Sequence, residues 1–314
     1  MKNKVRKSIR RKISALLVLT VSAVLFAACG STQSADTSDS ADADTAESED
    51  ASDDDEVTIV TVGSRYDNLE IWEAVNAELE DDNIQVENIA FESSVNLNDL
   101  LIAGEIDMNC AQHYAAIEYT KASDDKYADL IALGDMGIST LDLYSNKYDS
   151  VDDLPDGATI ALPNDVMNGG RALIILADNG LLTLDDNYEQ FPDETNIVDN
   201  PKNLQFTEVA SDSMIRILDD VDAGFAYSPN AVDAGLDLEE DPILKDVLDL
   251  ENNETQSQFI IVFTGVAGDE ENEVYQKVIE AYHTEAVWKA YKEIYNGGTI
   301  PVVDGVAIDI DSLK

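Results

Sequence analysis

The chain has 314 residues, 44% of them hydrophobic and 7% aromatic, enough apolar material for one large or two medium globular domains. Its 65 acids against 19 bases give a net charge of −46, which excludes nucleic acid and anionic membrane surfaces as partners. Two histidines and two cysteines leave little from which to build a His-rich metal site, a His-based triad or a disulfide framework.

Lys2, Lys4, Arg6, Lys7, Arg10, Arg11 and Lys12 form a basic n-region, and residues 13–26 an apolar stretch too short to favour a spanning helix. Ala27-Ala28-Cys29-Gly30 follows. Residues 1–28 therefore resemble a bacterial lipoprotein signal, with Phe26 where an aliphatic residue is usual. Cys29 would be lipidated and become the mature N-terminus, anchoring the chain to the cell membrane on its extracellular face. Residues 29–56 hold eleven acids, no Lys or Arg and almost no large apolar side chain, so they read as an extended, disordered tether. Without the seven signal cations the net charge falls to −53, and only Arg65, Arg171 and Arg216 remain as arginines.

Val57 opens a β-branched run, 57–62, that reads as a buried strand ending in Gly63-Ser64. Residues 68–80 carry a helical stripe through Leu69, Ile71, Trp72, Val75 and Leu79. A strand at 84–91, a short helix at 98–103, a strand at 104–109, a helix at 112–121 and a strand at 128–133 follow. The pattern then restarts with strands at 141–144 and 158–162. A polar stretch, Asn164-Asp165-Val166-Met167-Asn168-Gly169-Gly170-Arg171, reads as a glycine-broken loop leading into an apolar helix that ends at Asn179. Strands at 204–209 and 223–227, helices at 213–218 and 231–235, a buried strand at 259–263 and one long amphipathic helix across 272–295 complete the chain.

Strands alternating with helices in two successive sets predict an α/β protein of two lobes with parallel or mixed sheets. In such folds ligands sit at loops beyond the strand ends. Here those loops are 91–98, 109–114, the Asn-Gly-Gly-Arg turn and 227–230. Amides at a helix start attract anions, and Arg171 adds a planar fork suited to a carboxylate. Catalytic alternatives find no footing: there is no Walker loop and no Gly-x-Ser-x-Gly elbow, His283 reads as a surface residue, and paired acids such as Asp152-Asp153 suit solvated faces. Neither enzymatic activity nor a metal or cofactor is expected. Cys110 reads as a buried free thiol.

Asp156-Gly157-Ala158-Thr159-Ile160-Ala161-Leu162-Pro163-Asn164-Asp165, with Asn168 and Gly170-Arg171-Ala172-Leu173, resembles the methionine-binding lipoprotein family (NlpA type) of ABC importers. Gly104-Glu105-Ile106-Asp107, Asn109, Gln112-His113, Asn200-Pro201-Lys202-Asn203-Leu204 and Asp219-Asp220-Val221-Asp222-Ala223 extend the match over about 57–303. The resemblance implies a two-lobed periplasmic-binding-protein (type 2) fold with mixed sheets and an interlobe ligand cleft. Lobe 1 is expected from 57–139 and 258–314, and lobe 2 from 140–257. It further implies that Arg171 holds a ligand carboxylate, that Asn168 and Asn230 bond the backbone-like part of the ligand, and that His113, Ser94 and Tyr227 shape its side-chain pocket. Where the family has aromatic rings this chain has Ser94, Cys110 and Ala111, which predicts a wider pocket with fewer ring contacts for a thioether. The expected ligand is an amino acid (methionine-like or another) or a short peptide. The expected partners are an ABC permease and its ATPase, with the chain itself monomeric. The alternative is a surface-anchored adhesin or sensor of the same fold that does not transport.

Overall fold

The computed structural model describes residues 57–92, 94–185, 187–188 and 190–313. The signal, the tether and Cys29 lie outside the described residues.

A seven-stranded mixed sheet is built from β1 (Thr58–Ser64), β2 (Ile84–Ala90), β3 (Met108–His113), β4 (Leu130–Ser139), β12 (Ile261–Val266), β13 (Thr299–Val303) and β14 (Val306–Ala307). Its order is β14-β13-β4-β12-β3-β1-β2; β1 runs parallel to β2 and β3, while β12 and β13 run antiparallel to β4. A five-stranded sheet, order β11-β5-β10-β6-β9, uses β5 (Leu141–Tyr144), β6 (Thr159–Pro163), β9 (Gln205–Val209), β10 (Ala223–Tyr227) and β11 (Pro242–Leu244). A small hairpin pairs β7 (Thr183–Leu184) with β8 (Ile197–Asp199). The chain passes from the larger sheet to the smaller at Thr140 and returns through residues 245–260.

Packing follows the side-chain alternation. Val60 and Val62 of β1 are buried with Met108 and Cys110 of β3 against Trp72 and Val75 of α1 (Leu69–Glu78). The same cluster takes in α7 (Glu273–Tyr282) and α8 (Glu285–Tyr295) through Val278, Tyr282, Val287 and Tyr291. The opposite face of the sheet packs on α2 (Leu97–Ala103) and α3 (Tyr114–Ser123) through Leu97, Leu101, Ala115 and Ile117. The five-stranded sheet buries Leu141, Ile160 and Phe225 against Ala172, Leu173 and Leu176 of α4 (Val166–Asp178). Two short helices, α5 (Ser228–Asp233) and α6 (Glu254–Ser257), lie at the end of β10 and on the return segment.

Three local expectations are corrected. The 272–295 helix is two helices, broken at His283 and Thr284, where the His283 ring is held 2.7 Å from the Asp135 carbonyl oxygen and the Thr284 hydroxyl donates to Ala281 O. His283 is accordingly half-buried and bonded rather than a free surface residue. The third strand spans Met108–His113 instead of 104–109, because Gly104 (φ 75°) still closes α2 by capping Leu100 and Leu101. Lastly, Asn168, Gly169 and Gly170 are inside α4, not in a loop. Asp165 caps that helix by accepting from Asn168 N at 2.9 Å.

The candidate ligand site

The two glycines serve close packing. A Cβ on Gly170 would stand 2.6 Å from Phe191 Cβ and 2.9 Å from Pro192 O, and one on Gly169 would stand 2.9 Å from Pro163 O. Gly170→Ala is therefore expected to cost about 1–3 kcal/mol by overpacking and to displace Phe191, a loss that thermal unfolding would measure.

Arg171, one residue on, is 4% exposed. Its Nη2 donates to Ser139 O at 3.0 Å and to Asp246 Oδ2, with which it forms a buried ion pair. Asp246 also accepts from Leu141 N, and its own amide donates to Asp142 Oδ1 at 2.8 Å. Thr140 Oγ1 donates to the other oxygen of Asp142. One guanidinium thus joins α4 to both segments that connect the sheets. Asp142, held among these groups, has its carboxyl pushed above the usual range by burial. The guanidinium also covers the Phe259 ring at 4.8 Å, a cation–π contact.

Phe259 forms a platform for three partners. Besides Arg171, His113 meets it edge-on at 5.0 Å and Phe191 lies tilted at 5.4 Å. His113 ends β3, and its Nδ1 accepts from Ala116 N at 3.1 Å, capping α3. In the neutral ring the proton then sits on Nε2. Burial, reinforced by the Arg171 charge and opposed by the Asn168 side chain, pushes the His113 pKa down to about 3. A buried amide network sets the end of β3: Asn109 Nδ2 and Gln112 Nε2 both donate to Asn98 Oδ1 at 2.9 Å, and Gln112 reaches Thr264 Oγ1.

Tyr227, at the end of β10, feels the charges of Arg171 and Asp246, and burial raises its pKa above the usual range. Asn230 on α5 accepts from Tyr66 Oη at 3.3 Å. Ser94 is exposed in a turn and shares none of these contacts. The Ser94 turn is held instead by Arg65, which donates to Glu92 O at 2.7 Å and Val95 O at 3.0 Å. The structure therefore gathers Arg171, Asn168, His113 and Tyr227, joins Asn230 to Tyr66, and leaves Ser94 aside.

Two buried atoms of this group meet no partner at hydrogen-bond geometry: Arg171 Nε, a donor, and Asn168 Oδ1, an acceptor whose side chain is near enough to the His113 ring to favour its protonated form. They lie three residues apart on one face of α4. Unsatisfied buried polar atoms are rare, and here a donor and an acceptor occur within one turn of the same helix. Among the described residues no group of three or more His, Cys, Asp or Glu side chains could hold a metal ion. A hollow of about 450 Å³ lined by Tyr114, Asp135 and Asp304 shares no residue with this group, and the Asp135 carboxylate is satisfied there by Tyr114 Oη and Gly305 N.

Asp246, Phe259, Phe191 and Tyr66 are the residues that sequence reasoning missed. Asp246 carries no signal among 65 acids, and Phe259 reads simply as the first residue of an apolar strand.

Two mixed sheets joined by two crossing segments give the two-lobed α/β architecture of substrate-binding proteins. The profile of the NlpA lipoprotein family matches residues 60–303, and the chain belongs to that family. It is 31% identical over 217 residues to the D-methionine-binding lipoprotein MetQ of Escherichia coli (strain K12), covering 69% of this chain and 78% of that one. Among solved structures it resembles protein PG110 from Staphylococcus aureus (TM-score 0.71, 31% identity, 81% and 96% of the two chains). It also resembles a nutrient binding protein from Burkholderia cenocepacia bound to methionine (TM-score 0.69, 27% identity, 77% and 99%).

Proposed function

We propose that this protein is the lipid-anchored solute-binding component of an ABC importer, capturing an amino acid of methionine's kind between two lobes and passing it to a permease. The observation that carries this reading is the unsatisfied pair on α4, Arg171 Nε and Asn168 Oδ1. A donor and an acceptor at that spacing complement the carboxylate and ammonium of an α-amino acid. Arg171 pairs with the carboxylate through the edge that Asp246 leaves free. Asn168 and Asn230 hold the backbone-like part, and His113 and Tyr227 border the side chain. Phe191 and Phe259 set aromatic faces beside Arg171 and His113, which suits a thioether or aliphatic side chain. The names of the relatives, which mention methionine, point the same way.

Lobe 1 comprises 57–139 and 258–314, lobe 2 comprises 140–257, and closure about residues 139–141 and 245–258 traps the ligand. Cys29 carries the lipid, the acidic tether sets the domain off the outer face of the cell membrane, and the monomer delivers to a permease driven by its ATPase. A thermal-shift screen over the amino acids and dipeptides tests this. One or a few should stabilise the protein, by about 2.7 kcal/mol at a hundredfold excess over Kd, and methionine should be among them. A screen in which no compound raises the melting temperature overturns the reading.

A further inference from the structure

The hairpin of β7 and β8 carries a loop, residues 185–196, whose base and tip belong to different cores. At the base, Leu182, Leu184 and Ile197 pack into the apolar cluster of the five-stranded sheet. At the tip, Phe191 is 8% exposed and belongs to the cluster of the seven-stranded sheet, its ring tilted on Phe259 at 5.4 Å. Among the described residues of the loop only Phe191 enters that second cluster. The polar groups of the loop bond one another instead. Asn196 Nδ2 donates to Asp185 Oδ1 at 3.1 Å, Asp193 N to Asn196 Oδ1 at 3.0 Å, and Thr195 N to Asp193 Oδ1 at 2.8 Å.

We propose that this loop is a strap between the two lobes and that Phe191 is its latch, a positioning residue that holds the lobes shut over a bound amino acid. The proposal rests on the two-lobed amino-acid reading above and adds what keeps the closed state closed. Three features separate a latch from ordinary packing. The strap is rooted in one core and seated in the other, so parting the sheets must draw the ring off Phe259. Its crossing contact is apolar while its hydrogen bonds are internal, so it can leave and return without stranding a buried donor. Its seat is also prepared: Gly170, one residue before Arg171, lacks the Cβ that would stand 2.6 Å from Phe191 Cβ. Taking one phenylalanine ring out of water and setting it on another shifts an equilibrium by roughly tenfold to a hundredfold. That is enough to favour a closed form and little enough to release it. The Arg171 guanidinium covers the same Phe259 ring at 4.8 Å, so the carboxylate clamp and the latch meet at one side chain. Part of the affinity then comes from lobe closure itself and is the same whatever side chain the ligand carries.

Two measurements on the wild type, Phe191→Ala and Phe191→Leu test this. Titration calorimetry with L-methionine, L-norvaline and L-alanine should show Phe191→Ala weakening every ligand that the wild type binds by the same factor, about tenfold or more. Phe191→Leu, which keeps an apolar side chain in the seat, should recover most of that loss. The second measurement is the distance between spin labels on Glu87→Cys and Asp220→Cys, both exposed and one in each proposed lobe, with Cys110 buried out of reach of the label. At saturating methionine the wild type should give one closed distance, and Phe191→Ala should add a longer, open one. A loss of affinity confined to the longer side chains, or a distance distribution that Phe191→Ala leaves unchanged, overturns the latch while leaving the carboxylate site intact. A wild type that binds none of the three amino acids overturns the amino-acid reading, and the latch with it.

Discussion

Replacing Arg171 by alanine is expected to weaken ligand binding at least tenfold and to destabilise the fold by about 3–5 kcal/mol. The two losses have different origins. Affinity falls because the ligand carboxylate loses its cation in a site shielded from water. Stability falls because Asp246, 5% exposed, is left charged and buried without the partner that neutralises it, while its neighbour Asp142 is buried as well. Since Asp246 also accepts from Leu141 N, its rearrangement would loosen the segment joining β4 to β5. The double variant Arg171→Ala/Asp246→Asn separates the effects: removing the orphaned charge should restore most of the stability, as read by urea unfolding, but none of the affinity, as read by calorimetry. If Arg171→Ala binds and unfolds like the wild type, neither the clamp nor the ion pair has the role described. Arg171→Lys should fall between, keeping the charge while losing the planar guanidinium that lies over Phe259 as its Nη2 bonds Ser139 O and Asp246.

How much of this was legible beforehand depends on the range of the interaction. Alternating runs such as Thr58-Ile59-Val60-Thr61-Val62 and the stripe Ile71, Trp72, Val75 are local patterns, and both became the elements they predict. The family resemblance, carried by several short motifs in order, reached the fold through the same local residues. Tertiary contacts were less legible. Gly169-Gly170 looks like a turn in any sequence reading; only the approach of Phe191 and Pro192 shows that the glycines are there to make room on a helix. The helix break at His283 depends on a carbonyl in β4, 148 residues earlier. Asp142 and Asp246 are chemically identical to the many solvated acids of this chain, and burial alone tells them apart. The absence of rings at Ser94, Cys110 and Ala111 was plain in the sequence, yet the rings that stand near Arg171 and His113, Phe191 and Phe259, come from segments whose proximity only the folded chain reveals.

Acid should act on the protein through His113. Its folded pKa of about 3 lies below the ordinary value of 6.5, so between these limits the unfolded chain binds a proton that the folded chain refuses. Stability therefore rises with pH across this window: it is fully present above pH 6.5 and is lost progressively as pH falls toward 3. The shift corresponds to at most about 5 kcal/mol, and since the ring keeps some exposure a loss on the order of 3 kcal/mol is expected. The cause is built into three contacts. Nδ1 is occupied as acceptor from Ala116 N, so a second proton would break the α3 cap; the ring packs on Phe259, which cannot solvate a cation; and Arg171 already supplies a positive charge nearby. His113→Gln removes the titrating group, and its unfolding free energy should be flatter than that of the wild type between pH 6.5 and pH 4. Parallel profiles for the two proteins would mean that acid sensitivity resides in other groups.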